Sequence, residues 1–411
     1  MRARLGRRFP RRALLSRLLH GCRPGLLITL LLAWPQVAPG KVSVVPLPVY
    51  DTNPQEGSTF GFMPVFLILD EQDAVRQIYA PTITHNVING TTGTFRLLGY
   101  PDNARRYALT AGASTGINYR VRARYSDTRF LDGRFLFESR VRQERDGTFR
   151  FFGFGTRSVA SDETNYALRE THAEFAFGPH LSRHLHLTLR EIIRRVEVEQ
   201  GRVENVPFIG DRFPDIPGVR GGTVHAQRLA LTYDSRDSGI VPTRGAFWQL
   251  YAEVSAPELG SSADYLKLGG EGSWLFPLDG PAVVLVLHGL LEGLNGTNVP
   301  FFARTSLGGQ DTLRGFKENR FIGNARILGN AEARIRLFNV RLFQTNTEFE
   351  LDPFLDMGQV FNAFKQISRG TLQVVPGVGL RALVRPTIVG RVDVAVGREG
   401  SAVFIALDYP F

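Results

Sequence analysis

The chain has 411 residues and a formal net charge of +10, yet Arg2, Arg4, Arg7, Arg8, Arg11, Arg12, Arg17 and Arg23 place eight positive charges in the first forty residues against no acid. The remainder holds 41 basic and 39 acidic side chains, a net of +2, so no basic field is left to argue for nucleic acid. Cys22 is the single cysteine, which excludes disulfides and thiol chemistry from everything after the leader.

The first element is that leader. An Arg-rich start, an apolar stretch over 26–34 and the small residues Ala38 and Gly40 read as a signal peptide over 1–40, exported by the general secretory route. The apolar run, roughly ten residues, is about half of what a spanning helix requires. Residues 41–55 are expected to be a short periplasmic lead-in, too short for a periplasmic domain, and 56–411 a single domain.

From there the chain alternates apolar and polar residues between Gly, Asp, Asn and Pro turns. In 117–125 one face reads Ile117, Tyr119, Val121, Ala123, Tyr125 and the other Asn118, Arg120, Arg122, Arg124. A soluble core rejects that second face, whereas a strand between lipid and water needs both. The same split appears in 327–337, where Asn330, Glu332, Arg334 and Arg336 share the polar side. Predicted strands lie at 56–70, 75–87, 91–100, 105–116, 117–127, 132–146, 167–178, 183–197 and 224–236. They continue at 245–256, 262–277, 281–293, 325–338, 343–358, 373–385, 388–398 and 402–411. Because single-chain bacterial barrels close with even numbers, these imply an all-β, closed antiparallel transmembrane barrel of about sixteen strands, one early candidate being merged or peripheral. Long intervals at 147–166, 198–223, 294–324 and 359–372 against short ones at 237–244 and 278–280 orient it, long loops outward.

Three segments carry a family resemblance. Gly308-Gly309-Gln310-Asp311-Thr312-Leu313-Arg314-Gly315-Phe316, followed by Asn330-Ala331-Glu332-Ala333-Arg334, resembles the long sixth-loop motif and next strand of the bacterial surface-antigen superfamily of outer-membrane β-barrels, which includes the BamA- and TamA-like barrels. Phe354-Leu355-Asp356-Met357-Gly358 is similar to that family's F-x-D-x-G strand. Asp234-Ser235-Arg236-Asp237 with Pro242-Thr243-Arg244-Gly245 is similar to its mid-barrel turn. The resemblance implies a barrel whose long extracellular loop folds into the lumen. Its motif here is Asp311, Leu313, Arg314, Gly315 and Phe316, and Arg314 is expected to meet an acidic wall of Glu332, Glu350, Asp352 and Asp356, which the pleat independently places on water-side faces.

Arg120, Arg122, Arg124, Arg140, Arg142 and Arg190 lie on water-side faces of early strands, and Glu332, Glu348, Glu350, Asp352, Asp356 and Asp393 on late ones. Two readings follow: a transverse field for passage, or mutual neutralisation in a plugged lumen. The last strand sets Val403, Ile405, Leu407, Tyr409 and Phe411 on one side, so Leu407, Tyr409 and Phe411 are expected to form a terminal signal for membrane insertion.

Gly112-Ala113-Ser114-Thr115-Gly116 spells a hydrolase elbow but lies between alternating strands, where no strand-to-helix turn is predicted. His184 and His186 share a strand face without a third ligand. No catalytic residue, metal site or cofactor is therefore expected. The expected function is that of a non-enzymatic barrel related to protein assembly and translocation factors, inserting or transferring protein or lipid. The alternatives are a passive channel or structural surface antigen and, least favoured, an outer-membrane hydrolase. Expected partners are outer-membrane lipid and, during biogenesis, the barrel-assembly machinery, for a monomer in the outer membrane of a Gram-negative-type bacterium.

Overall fold

The computed structural model describes residues 41–411 except 54, 73, 343–344, 364–365, 385–387, 407–408 and 411. The leader and the positions Leu407 and Phe411 therefore lie outside the described residues.

The chain forms one antiparallel meander. It opens with β1 (Lys41–Asn53) and β2 (Gly57–Leu69), then β3 (Val75–Tyr79) and β4 (Thr82–Asn86), which both pair with β2 on one side and with β5 (Gly90–Gly99) on the other, as two halves of one broken strand. β6 (Arg105–Ser114), β7 (Tyr119–Arg129), β8 (Phe135–Phe151), β9 (Thr164–Pro179) and β10 (Leu185–Gln200) follow, each paired to the one before. So do β11 (Gly222–Asp234), β12 (Gly245–Ser255), β13 (Asp264–Asp279) and β14 (Val283–Thr297). The long loop after β14 holds a small hairpin of β15 (Thr305–Leu307) and β16 (Phe321–Gly323). β17 (Ala325–Leu342), β18 (Thr345–Phe361), β19 (Gln373–Val384), β20 (Ile388–Gly397) and β21 (Gly400–Ala406) complete a sheet of nineteen strands.

Each of the seventeen predicted strands has a counterpart. Two expectations are corrected: no early candidate is merged away or peripheral, as about sixteen strands required, and 41–53, expected as a lead-in, is itself a strand paired with β2. Val42, Val44 and Tyr50 are exposed along it, while Val45, Leu47 and Val49 pack on Met63, Val65 and Leu67. Pro46 and Pro48 hid that alternation, because proline reads against a strand; two residues apart, both lack their N–H on the same lateral side, which an edge strand tolerates.

The sheet is inverted relative to a soluble domain. Leu229, Leu250 and Leu268 on β11 to β13 are 50 %, 56 % and 55 % exposed, while Arg314, Arg381 and Arg391 are at most 1 % exposed. Each fully buried apolar side chain gains about 1.5–3 kcal/mol over an exposed one. A continuous apolar outer belt is stable only where lipid covers it. Aromatic pairs mark the short-turn rim of this belt: Phe135 on Phe177 at 4.8 Å, Tyr233 on Trp248 at 5.3 Å and Phe338 on Phe349 at 5.1 Å. Among the described residues no helix is long and apolar enough to cross a membrane, which says nothing of strands.

Contacts cross the concave side of the sheet. At the long-loop end Phe151, Tyr166, Phe301 and Ile322 gather with Ile209 in an apolar dome built by three loops. At the other end the turn between β11 and β12 reaches under the concavity, Val241 packing on Leu383 and the Pro242 carbonyl accepting from Arg334.

Candidate functional site

The loop motif is built for one conformation. Gly308 and Gly309 have φ of +118° and +92°, and a Cβ at Gly308 would stand 2.3 Å from the Lys317 carbonyl, so both positions need glycine. Thr312 closes the turn, its hydroxyl donating to the Gly308 carbonyl and accepting from the Gly308 N–H. Leu313 and Phe316 then seat among Phe321, Val360, Val375 and Ala395, and Gly315 lies so close to Gly397 that a Cβ would come within 2.7 Å of its nitrogen. The motif glycines thus serve a turn and a backbone approach.

Between those anchors Arg314 points at the wall. Its Nε and Nη2 donate to Oδ2 and Oδ1 of Asp356 at 3.0 and 2.8 Å, its backbone N–H donates to Oδ2 at 3.1 Å, and Nη1 donates to Glu332 at 2.9 Å. Asp393 stands 3.5 Å from Nη1, and the guanidinium lies 3.3 Å over the Phe354 ring. Asn330 fixes Asp356 from behind, donating to Oδ1 at 2.8 Å and to the Thr312 carbonyl at 3.0 Å. Burial alone would lower the Arg314 pKa, but Asp356, Glu332 and Asp393 outweigh it and hold the group above its usual range. Asp311 lies at the mouth of the cluster, accepting from Arg391 at 2.9 Å.

The acidic wall divides. Glu332 and Asp356 meet Arg314 directly. Asp352 pairs with Arg381 at 3.1 Å, and Glu350 accepts from the Tyr409 hydroxyl at 2.8 Å. Sequence reasoning set Arg334 on the face of Glu332, to which it donates, but missed the rest of the cluster's basic half: Arg381 donates to Asp393, and Arg391 lies between Asp311 and Asp393. The available signal was Arg381 following Gly377 and Gly379 on one water-side face, a lone charge among residues too small to shield it. A second brace was also missed. Fully buried Arg320, in the loop's returning arm, binds Glu399 in the β20–β21 turn through Nε and Nη2 and stacks 4.2 Å over Phe152.

Tyr409 departs from the expected alternation. It lies outside strand geometry, and its ring turns to the concave side, 3.6 Å from the Arg334 guanidinium, instead of facing outward with Val403 and Ile405.

The early arginines are largely neutralised by neighbouring strands and not across the lumen. Arg122 pairs with Glu144, Arg142 with Glu170, and Arg190 with Glu138 and Glu174. Ser114 closes its own turn through the backbone of Asn118. Among the described residues no group of three or more His, Cys, Asp or Glu is placed to hold a metal ion.

Comparison with known proteins converges. A family model described as the Omp85 superfamily domain matches residues 103–384. The outer membrane protein assembly factor BamA of Nitratidesulfovibrio vulgaris is 31 % identical over 140 residues, 32 % of this chain and 17 % of that protein, so the match spans less than a fifth of the relative's length. Among solved structures, BamA from Haemophilus ducreyi lacking POTRA domains 1–3 aligns with a TM-score of 0.54 at 15 % identity, covering 89 % of this chain and 75 % of that one. CdiB from Escherichia coli aligns at 0.50 with 11 % identity, covering 92 % and 64 %. At such identities the structural likeness speaks for the fold alone.

Proposed function

Because the chain belongs to the Omp85 superfamily, we propose that it is a closed outer-membrane barrel that inserts or transfers polypeptide through the seam between its first and last strands. The names of its relatives, an assembly factor among them, favour polypeptide over lipid as the client.

The observation that carries this reading is the composition of β1. A strand can donate into a ladder only through N–H groups on the paired side. Pro46 and Pro48, two residues apart, lack their N–H on one lateral side of β1, and we set that side away from β2, at the free edge. On closure that edge would meet β21, described over Gly400–Ala406. A seam short of donors opens at low cost, and an open seam offers an incoming strand a template. Counting β3 and β4 as one strand leaves eighteen in the sheet, an even number that suits closure with both ends on one side.

The passive-channel alternative is less well supported, since the loop motif and the β11–β12 turn occupy the two ends of the concavity. The test is assisted folding. Vesicles containing the purified protein should accelerate folding of a urea-denatured outer-membrane barrel, while showing little steady ion conductance; steady conductance without acceleration would favour the channel.

A further inference from the structure

Two arginines on the inner face of the early strands, Arg106 and Arg124, stand outside the ion pairs that neutralise their neighbours. Registers from β5 to β9 align Leu98, Ala108, Arg124, Arg140 and Glu174 in one row, and Arg106, Ser126 and Glu138 in the next. The carboxylates here are already engaged: Glu174 with Arg140 and Arg190, Glu138 with Arg190. Arg106 and Arg124 have no carboxylate partner among the described residues. Arg124 stands directly across from Arg140, a like-charge pairing that destabilises a sheet unless something intervenes.

Both unanswered guanidiniums open into a cavity of about 270 Å³, which Leu98, Tyr100 and Ile240 also line. Ile240 of the β11–β12 turn borders it on one side, where a Cβ on the neighbouring Gly239 would lie 3.7 Å from an Arg106 nitrogen. Ala108 leaves the space that a larger side chain would fill. The arrangement is thus a pocket lined by four arginines, of which Arg140 and Arg190 are paired with the lining carboxylates Glu138 and Glu174, while Arg106 and Arg124 present two unpaired planar forks. Forks of this kind match phosphate oxygens, and a group of guanidiniums is relieved of mutual repulsion when a multiply charged anion lies between them.

We propose that this cavity binds a soluble phosphate-bearing anion, held by Arg106 and Arg124 and entering from the end of the barrel where the short turns lie. The source is soluble and not the membrane: the ladder from Leu98 to Glu174 is unbroken, so a lipid on the apolar outer face has no path to these side chains. The site is independent of the seam.

The test is calorimetric titration of the purified full-length protein in neutral detergent with pyrophosphate at constant ionic strength. It is compared with the Arg106→Gln/Arg124→Gln double variant and with Arg183→Gln, an exposed turn arginine. Heat-modifiable migration verifies that each is folded. Saturable binding is expected for the wild type and Arg183→Gln, weakened at least about tenfold in the double variant, as loss of charge-assisted bonds requires. Absence of saturable binding to the wild type, or equal binding by the double variant, overturns the site. Displacement of pyrophosphate by phosphatidylglycerol micelles but not by phosphatidylcholine micelles overturns the soluble source.

Discussion

Arg314 holds Asp356 side-on, two guanidinium nitrogens on two carboxylate oxygens at 3.0 and 2.8 Å, and adds its own backbone N–H to the same group. One residue of the loop thereby fixes both its side chain and its main chain to β18. Arg314→Ala leaves Asp356, Glu332 and Asp393 buried beside a missing charge, a change that typically costs about 3–5 kcal/mol. Limited proteolysis between residues 295 and 324 should rise sharply, and the temperature of heat modification should fall. Arg314→Lys is expected to rescue little, since an ammonium is a point charge and cannot reproduce the fork. Arg304→Ala, in the same loop, removes only a stack on Phe154 and bonds to neutral oxygens, so its loss should be about 1 kcal/mol.

The second brace predicts an asymmetry. Arg320 is buried, whereas Glu399 is partly open to water. Glu399→Gln should therefore loosen the β20–β21 turn moderately, and Arg320→Ala should do more, because it also empties the space over Phe152. A double-mutant cycle on the heat-modification midpoint is expected to give a coupling of about 1–3 kcal/mol; additive effects would show that the two side chains do not act as a pair.

Much of this was legible in the chain. The period-two alternation located the strands because every strand separates lipid from water, and the motif located Arg314 because two glycines and a bidentate arginine leave few other geometries. What alternation does not disclose is which strand a side chain's partner occupies. Arg381 and Asp393 meet only through the β19–β20 register, and Arg320 meets Glu399 across 79 positions of sequence. Nor does it disclose exceptions such as Pro46 and Pro48, where proline obscures a strand, or Tyr409, where the chain leaves strand geometry and the ring turns inward.

That inward turn bears on membrane insertion. The proposal that Leu407, Tyr409 and Phe411 form a terminal signal assigns Tyr409 a role before folding, while its contacts with Glu350 and Arg334 give it one afterwards. Tyr409→Phe should insert normally and lose about 1 kcal/mol of stability with its hydroxyl bond. Replacing Phe411 with Asp should lower the amount inserted without changing the heat-modification midpoint of what does insert. Equal insertion of the Phe411 variant would remove that residue from the signal.

Glu318 gives the loop a dependence on pH. Glu318 is open to water on the concave side yet crowded by protein atoms and by Asp146, Asp311 and Glu56, and that crowding holds its pKa above the usual carboxylate range. A carboxyl group raised in this way stabilises the folded loop fully below its unfolded pKa, and that contribution is lost as pH rises through the folded value. Proteolysis of the loop should therefore be faster at pH 8 than at pH 5, and Glu318→Gln should remove most of the difference. An unchanged pH profile in that variant would assign the effect to another group.

The account turns on the seam, and a reversible lock tests it most directly. With Cys22→Ser removing the chain's one cysteine, a cysteine pair is placed across β1 and β21, scanned over Tyr50 and Val403 and their neighbours. The oxidised protein in vesicles should lose its acceleration of client-barrel folding, and reduction should restore it. If cross-linked and reduced proteins accelerate folding equally, polypeptide does not pass through the seam and the proposed function is wrong.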